Sequence, residues 1–168
     1  GDTVVLGEAQ TLGVIDLSSG EDIVTLAGGV NTLTINNAET INAASGDYSD
    51  TVYLGVAQER GIISLLGGSD RLFLANGTNV LTVSGAESIT GDMGNDRILL
   101  TDAMTTGVIG LGGGSDTLTL FNGANTLTVS GVESVVGAGG SDVLVLGQSI
   151  SGAVVALGDG SDTLSLFN

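Results

Sequence analysis

The sequence predicts an all-β protein, a parallel β-solenoid with about two coils in each 46-residue repeat. Three observations predict it. Asp50, Asp96 and Asp142 each open a strand-like run, and they lie 46 residues apart. Within the runs, β-branched and aliphatic residues alternate with Thr or Ser at period 2, and no segment keeps a period of 3.6. Glycine-rich or polar turns separate the runs, and such internal repetition is the signature of a stacked architecture.

The repeat is visible in long alignments. DTLTLFNGANTLTVSGVES (116–134) matches DRLFLANGTNVLTVSGAES (70–88) and DIVTLAGGVNTLTINNAET (22–40). The copies run from about 2–49, 50–95 and 96–141, with a partial copy at 142–168; the first carries two extra residues near Asn42–Gly46. The expected organisation is one solenoid segment, 1–168, cut from a longer array. In the third copy the strands in order are DRILL (96–100), GVIGL (107–111), DTLTL (116–120), NTLTV (125–129) and ESVVG (133–137).

Period 2 assigns their faces. The second and fourth residues after each strand-opening Asp are Val4/Leu6, Val24/Leu26, Val52/Leu54, Leu72/Leu74, Ile98/Leu100, Leu118/Leu120, Leu144/Leu146 and Leu164/Leu166. All are aliphatic and form the candidate core. The alternate positions are mixed, as at Thr3, Thr25, Arg71, Arg97 and Thr119. Strands this short bury a core only by stacking on their neighbours. The Asp intervals alternate between 20 and 26–28 residues, which reads as a shorter and a longer coil per copy. The second arrangement is a flatter two-sided roll advancing nine residues per strand, whose five strands per copy would swap faces from copy to copy.

Composition bounds the function. The chain has 168 residues, 19 of them acidic against three Arg, with no Lys and no His, for a net charge of −16. That excludes a binder of phosphate backbones, which needs clustered cations, and disfavours anionic membrane surfaces. At 42% hydrophobic residues it is not a disordered acidic tail. Without Cys there are no disulfides or thiolate metal sites. No signal-peptide pattern is recognisable, and no apolar run reaches the roughly 18 residues of a membrane helix. Without His or Cys the usual catalytic base and thiol nucleophile are missing, so no enzyme is expected.

The turns carry the chemistry. GDMGND (91–96) with Ile98 and GAGGSD (137–142) with Leu144 resemble the RTX nonapeptide repeat, GGxGxDxUx with U a large aliphatic residue. GGGSD (112–116) and GDGSD (158–162) match in part, LGGSD (66–70) and SSGED (18–22) less, and GDYSD (46–50) has Tyr48 where the family has Gly. The 46-residue superperiod also departs from the family's turn length. It is similar to the long β-strand repeats of bacterial surface-layer proteins and giant adhesins. The resemblance implies a right-handed parallel β-roll in a secreted bacterial protein, with Ca²⁺ held between successive turns.

The aspartates then admit two readings. Stacked in one ladder, neighbouring carboxylates would repel by about 3.5 kcal/mol at a spacing of ~4.8 Å and an effective dielectric of ~20. Ca²⁺, which takes six to eight oxygens including backbone carbonyls, would compensate. The candidate ligands are Asp70, Asp96, Asp116, Asp142 and Asp162, with Asp92 and Asp159 as additional ones and Asp47 in a distorted turn. Alternatively each Asp caps its own turn by accepting backbone N–H groups. Asn31, Asn79 and Asn125 read as turn-satisfying amides. Glu39, Glu87 and Glu133, each eight residues further on, read as turn-capping or solvated carboxylates.

The remaining features are minor. Arg60, Arg71 and Arg97 serve as local charge compensation. Tyr53, Phe73, Phe121 and Phe167 are too few for a stacking platform. Outward Thr pairs such as Thr117/Thr119 suggest an ice-binding array, but Val80, Arg71, Phe73, Arg97 and Leu99 interrupt it.

The expectation is an extracellular structural or adhesive module, stabilised by calcium, of a bacterial surface layer, fibre or giant adhesin. Its partners would be calcium ions and other copies packed laterally through residues such as Val5, Val143 and Val145, with no nucleic acid and no membrane insertion. The family resemblance implies type I secretion, with folding on meeting external Ca²⁺. The alternative is the accessory or secretion region of a secreted RTX-type enzyme or toxin.

Overall fold

Eighteen short strands follow one another with no helix among the described residues of the computed structural model, which describes residues 1–148 and 151–166. They are β1 (Thr3–Val5), β2 (Thr11–Asp16), β3 (Ile23–Thr25), β4 (Thr32–Asn36), β5 (Thr40–Asn42) and β6 (Thr51–Leu54). Then come β7 (Gly61–Ser64), β8 (Arg71–Phe73), β9 (Val80–Ser84), β10 (Ser88–Thr90), β11 (Arg97–Leu100) and β12 (Gly107–Gly110). The last are β13 (Thr117–Thr119), β14 (Thr126–Ser130), β15 (Ser134–Val136), β16 (Val143–Leu146), β17 (Val154–Ala156) and β18 (Thr163–Ser165).

Odd-numbered strands form one nine-stranded sheet and even-numbered strands form another, each wholly parallel and in chain order. The chain is therefore a two-sided solenoid that places one strand in each sheet per coil. Nine strands at ~4.8 Å make each sheet about 38 Å from first strand to last. Paired residues one coil apart are mostly 17 or 20 residues apart, as for Val80 with Arg97 and Arg97 with Thr117. Thr40 pairs with Ile62 instead, 22 residues on, because the two extra residues of the first copy are absorbed there.

The solenoid is as predicted, but the flat roll prevails over the alternating short and long coils. Each 46-residue copy holds five strands, β6–β10 and β11–β15 for instance. With two strands per coil that is two and a half coils, so an equivalent strand changes sheet from copy to copy. Asp50 precedes β6 of the even sheet, Asp96 precedes β11 of the odd sheet, and Asp142 precedes β16 of the even sheet again. The eight strand-opening aspartates consequently fall on two edges, not in one ladder.

Between the sheets lies a single aliphatic core. Val24, Leu72, Ile98 and Leu118 from the predicted positions are fully buried, joined by Ile35, Ile41, Ile63, Val83, Ile89, Ile109 and Val129. The end coils are less covered: Val4 and Leu6 are half-buried, and Leu164 and Leu166 are exposed because only one coil neighbours them. Of the residues named for lateral packing, Val5, Val143 and Val145 point outward and are exposed, as do Ile62, Leu99 and Val108. Tyr53 and Phe73 stack on the even sheet with ring centroids 4.6 Å apart. Arg71 and Arg97 are exposed on β8 and β11; Phe167 lies outside the described residues.

Gln58 and Met104 occupy equivalent bends ahead of β7 and β12. A Cβ on Gly61 would fall 2.7 Å from Gln58 Oε1, and one on Gly107 would fall 1.9 Å from Met104 Sδ. Both side-chain amide atoms of Gln58 are buried without a hydrogen-bond partner. Replacing a buried, unpaired amide by an apolar group of the same shape removes a desolvation cost of ~1–3 kcal/mol. Gln58→Met should therefore raise the unfolding midpoint by several degrees, at roughly 2–4 °C per kcal/mol for a chain of this size. A lower midpoint in thermal denaturation would contradict this equivalence.

Candidate functional site

The residue that enters each strand sits at a bend, where its backbone N–H leaves the strand ladder. The bends before odd strands line one edge of the solenoid and those before even strands line the other. On the first edge Gln58 donates its backbone N–H to Asn79 Oδ1 (3.2 Å), Asn79 to Asp96 Oδ1 (2.8 Å), Asp96 to Asp116 Oδ1 (2.7 Å), and Asp116 to Glu133 Oε2 (2.8 Å). On the second edge the same succession is Gln10, Asn31, Asp50, Asp70 and Glu87, with donor–acceptor distances of 3.1, 2.8, 2.6 and 2.7 Å. It starts again there as Met104, Asn125, Asp142 and Asp162, and the first edge opens with Asp2, Asp22 and Glu39.

Each run is thus Gln or Met, Asn, Asp, Asp, Glu, one residue per coil. The run stops at Glu, while the backbone bond to the corner carbonyl one coil back continues at every step, from Arg97 to Asn79 (2.8 Å) and from Thr117 to Asp96 (2.8 Å) as well as after Glu. Ile62, Val108 and Val154 donate to the carbonyls of Glu39, Glu87 and Glu133 at 2.8, 2.9 and 2.8 Å.

The predicted site residues divide accordingly. Asp96 and Asp116 are stacked on the first edge, and Asp70, Asp142 and Asp162 belong to two runs on the second. Asp70, Asp96, Asp116 and Asp142 are buried, and Asp162 is half-buried on the last coil. Asp92 and Asp159 are exposed and enter the stack through their backbones: Gly113 donates to the Asp92 carbonyl (2.9 Å) and Asp159 donates to that of Ala138 (3.1 Å). Asp47 is also exposed. The buried aspartates accept N–H groups as the turn-cap reading requires, but from the preceding coil and not from their own turn. Asp22, Asp50 and the three Glu complete the runs. Position at the strand entrance unites them with the Asn residues, whereas a search for Asp alone does not.

The turns are shaped by close approach of successive coils. Gly114 has φ +149°, and a Cβ there would fall 1.8 Å from the Gly94 carbonyl oxygen. A side chain at that position has no room, which explains the Gly two residues before most of the buried aspartates. Tyr48 stands at the equivalent place before Asp50, in the turn lengthened by two residues.

Each buried Asp uses one carboxylate oxygen for this bond. The second oxygen of Asp22, Asp70, Asp96, Asp116 and Asp142 is buried with no hydrogen-bond partner. A buried polar atom without a partner is costly, and more so when charged. Burial, together with the neighbouring Glu87 and Asp50 carboxylates, pushes the Asp70 carboxyl up to about 7, against the bond from the Asp50 N–H. Burial, with Asp96 and Glu133, likewise raises Asp116 to about 6, against the bond from Asp96.

These oxygens fit a hard cation in kind: paired carboxylates one coil apart, beside glycine turns that expose carbonyls. No group of three or more His, Cys, Asp or Glu converges among the described residues. An ion would therefore be held by carboxylate pairs and backbone oxygens. Surface concavities lie on the sheet faces, as around Val80, Arg97 and Leu99, and one of them extends to the first edge at Glu39, Glu59 and Arg60. No known protein family, curated protein or solved structure matches the chain.

A pH dependence follows for the metal-free protein. Carboxyls with folded values of about 7 and 6, above their ordinary 3.8, bind more protons folded than unfolded across that interval. Stability then falls as pH rises through it. With a chelator present, the unfolding midpoint should be higher at pH 5 than at pH 7.5, and the Asp70→Asn/Asp116→Asn double variant should flatten the difference. A midpoint unchanged over this range would show the two carboxylates to be charged in the folded state.

Proposed function

We propose that this chain is an extracellular structural or adhesive repeat module, stabilised by calcium, of a bacterial surface layer, fibre or giant adhesin. The observation that carries the reading is the set of buried, stacked carboxylates with unpartnered second oxygens. Such a column folds readily only where a counter-charge enters it, and divalent calcium supplies one outside the cell. The repeat and the acidity support the same reading, as does the resemblance of GDMGND and GAGGSD to RTX turns. Exposed apolar residues on both sheets, among them Val5, Ile62, Leu99, Val108 and Val145, suit lateral packing with other copies. The same RTX-like turns favour the second reading, an accessory or secretion region of a secreted enzyme or toxin.

Thermal unfolding with calcium and with a chelator tests the proposal. At free calcium about 100-fold above its dissociation constant, each occupied site adds ~2.7 kcal/mol. That corresponds to a midpoint shift of roughly 5–10 °C per site. Magnesium, which keeps its waters and demands octahedral geometry, should give less. Superimposable curves with calcium and chelator would remove the metal from the proposal.

A further inference from the structure

The three asparagines show what the corner is built to hold. Asn31, Asn79 and Asn125 each accept the preceding coil's N–H at Oδ1, as the aspartates do. Their Nδ2 then meets three oxygens. It donates to the carbonyl four residues back, Ala27, Ala75 or Phe121, at 2.9, 2.9 and 3.0 Å. It also reaches the carbonyl two residues back, Gly29, Gly77 or Gly123, at 2.9, 3.0 and 2.7 Å. The third contact is to the next coil's carboxylate, Asp50, Asp96 or Asp142, at 3.0, 3.0 and 2.9 Å.

At the aspartate corners the same planar group makes the same first bond, and its other terminal atom is oxygen. That atom is the buried, unpartnered Oδ2 of Asp22, Asp70, Asp96, Asp116 and Asp142. Where a hydrogen-bond donor sits among oxygens in one corner, an acceptor sits in the next. Asp22, Asp70 and Asp116 are the extreme cases, because each lies between a second Asp on one side and a Glu on the other along its run.

We propose that the asparagine amide nitrogen occupies the place a divalent cation takes at the aspartate corners. The acidic steps Asp22–Glu39, Asp50–Asp70–Glu87, Asp96–Asp116–Glu133 and Asp142–Asp162 are then the ion-holding ones, and Asn31, Asn79 and Asn125 open the last three of them with a built-in hydrogen-bond donor. This assigns Asp22, Asp50 and the three Glu to the site, and it makes the Asn corners metal-free by construction. The inference rests on the calcium reading given above.

Calcium stoichiometry, measured by equilibrium dialysis on the whole chain, separates the two claims. Asp70→Asn supplies an amide where the acid stood. It should lose at least one bound calcium while keeping the far-ultraviolet dichroism of the parent and a smaller chelator-induced drop in midpoint. Asn79→Asp extends an acidic run by one coil. It should bind at least one calcium more, lower the midpoint in chelator and recover it in calcium. Asn79→Ala, the control, should lower the midpoint in both solutions without further binding. A parent chain that binds no calcium would sink the calcium reading itself. A parent that binds calcium, with unchanged stoichiometry in both Asp70→Asn and Asn79→Asp, would overturn only the equivalence of amide and ion.

Discussion

The bond from a bend's backbone N–H to the side-chain oxygen one coil further on holds the two edges together. Strand ladders pair the residues within each sheet, but they leave the corner N–H without a partner where the chain turns. A short side chain with an oxygen two bonds from Cβ fills that gap in three of the four steps of a complete run, at Asn, Asp and Asp; Glu fills the fourth with one methylene more. The bond fixes axial register at the corners as firmly as the sheets fix it between them. It also brings acidic side chains into line, one above the other, in a buried place. Stability from packing and repulsion from charge therefore come from the same geometry.

The odd number of strands per copy moderates that repulsion. An acidic run on one edge, such as Asp96, Asp116 and Glu133, is reached across the solenoid from the neutral Met104 and Asn125 bends. Asp50, Asp70 and Glu87 on the second edge likewise stand opposite Gln58 and Asn79 on the first. With an even number of strands per copy, one edge would carry the same residue types in every copy. The charges of a chain at −16 would then sit in fewer, longer columns. At close spacing each added like neighbour costs on the order of 1–4 kcal/mol, depending on how much water reaches it.

Much of this was legible in the residues. The alternation of Val24/Leu26, Ile98/Leu100 and Leu118/Leu120 gave the inward face, and the five strands of 96–137 lie within a residue or two of where the turns placed them. Register was harder, because alternation says which side of a strand faces the core and nothing about which sheet the strand joins. The intervals between aspartates misled for a chemical reason. Asp, Asn, Glu, Gln and Met fill one geometric position here, so following Asp alone skips bends and fuses two edges into one ladder. The 17-residue steps only become visible when Asn79 and Glu87 count as corners alongside Asp70 and Asp96. The glycine two residues before the corner was the better marker, since it precedes Asn79, Glu87 and Asp96 alike, although Val56 and Asp102 stand there before Gln58 and Met104.

The choice between a proton and a cation at these corners turns on how many oxygens must be satisfied. A proton shared between two carboxylates answers one oxygen–oxygen contact. The asparagine corners show that three oxygens converge on the second terminal atom, and the amide meets them with a nitrogen that carries positive charge on its hydrogens. A single proton on an Asp, which burial and the neighbouring carboxylates favour at Asp70 and Asp116, leaves the other contacts unanswered. A hard divalent ion collects six to eight oxygens at once, carbonyls included. On the proposal made above, the geometry that makes an amide comfortable in one coil is the one that would receive an ion in the next.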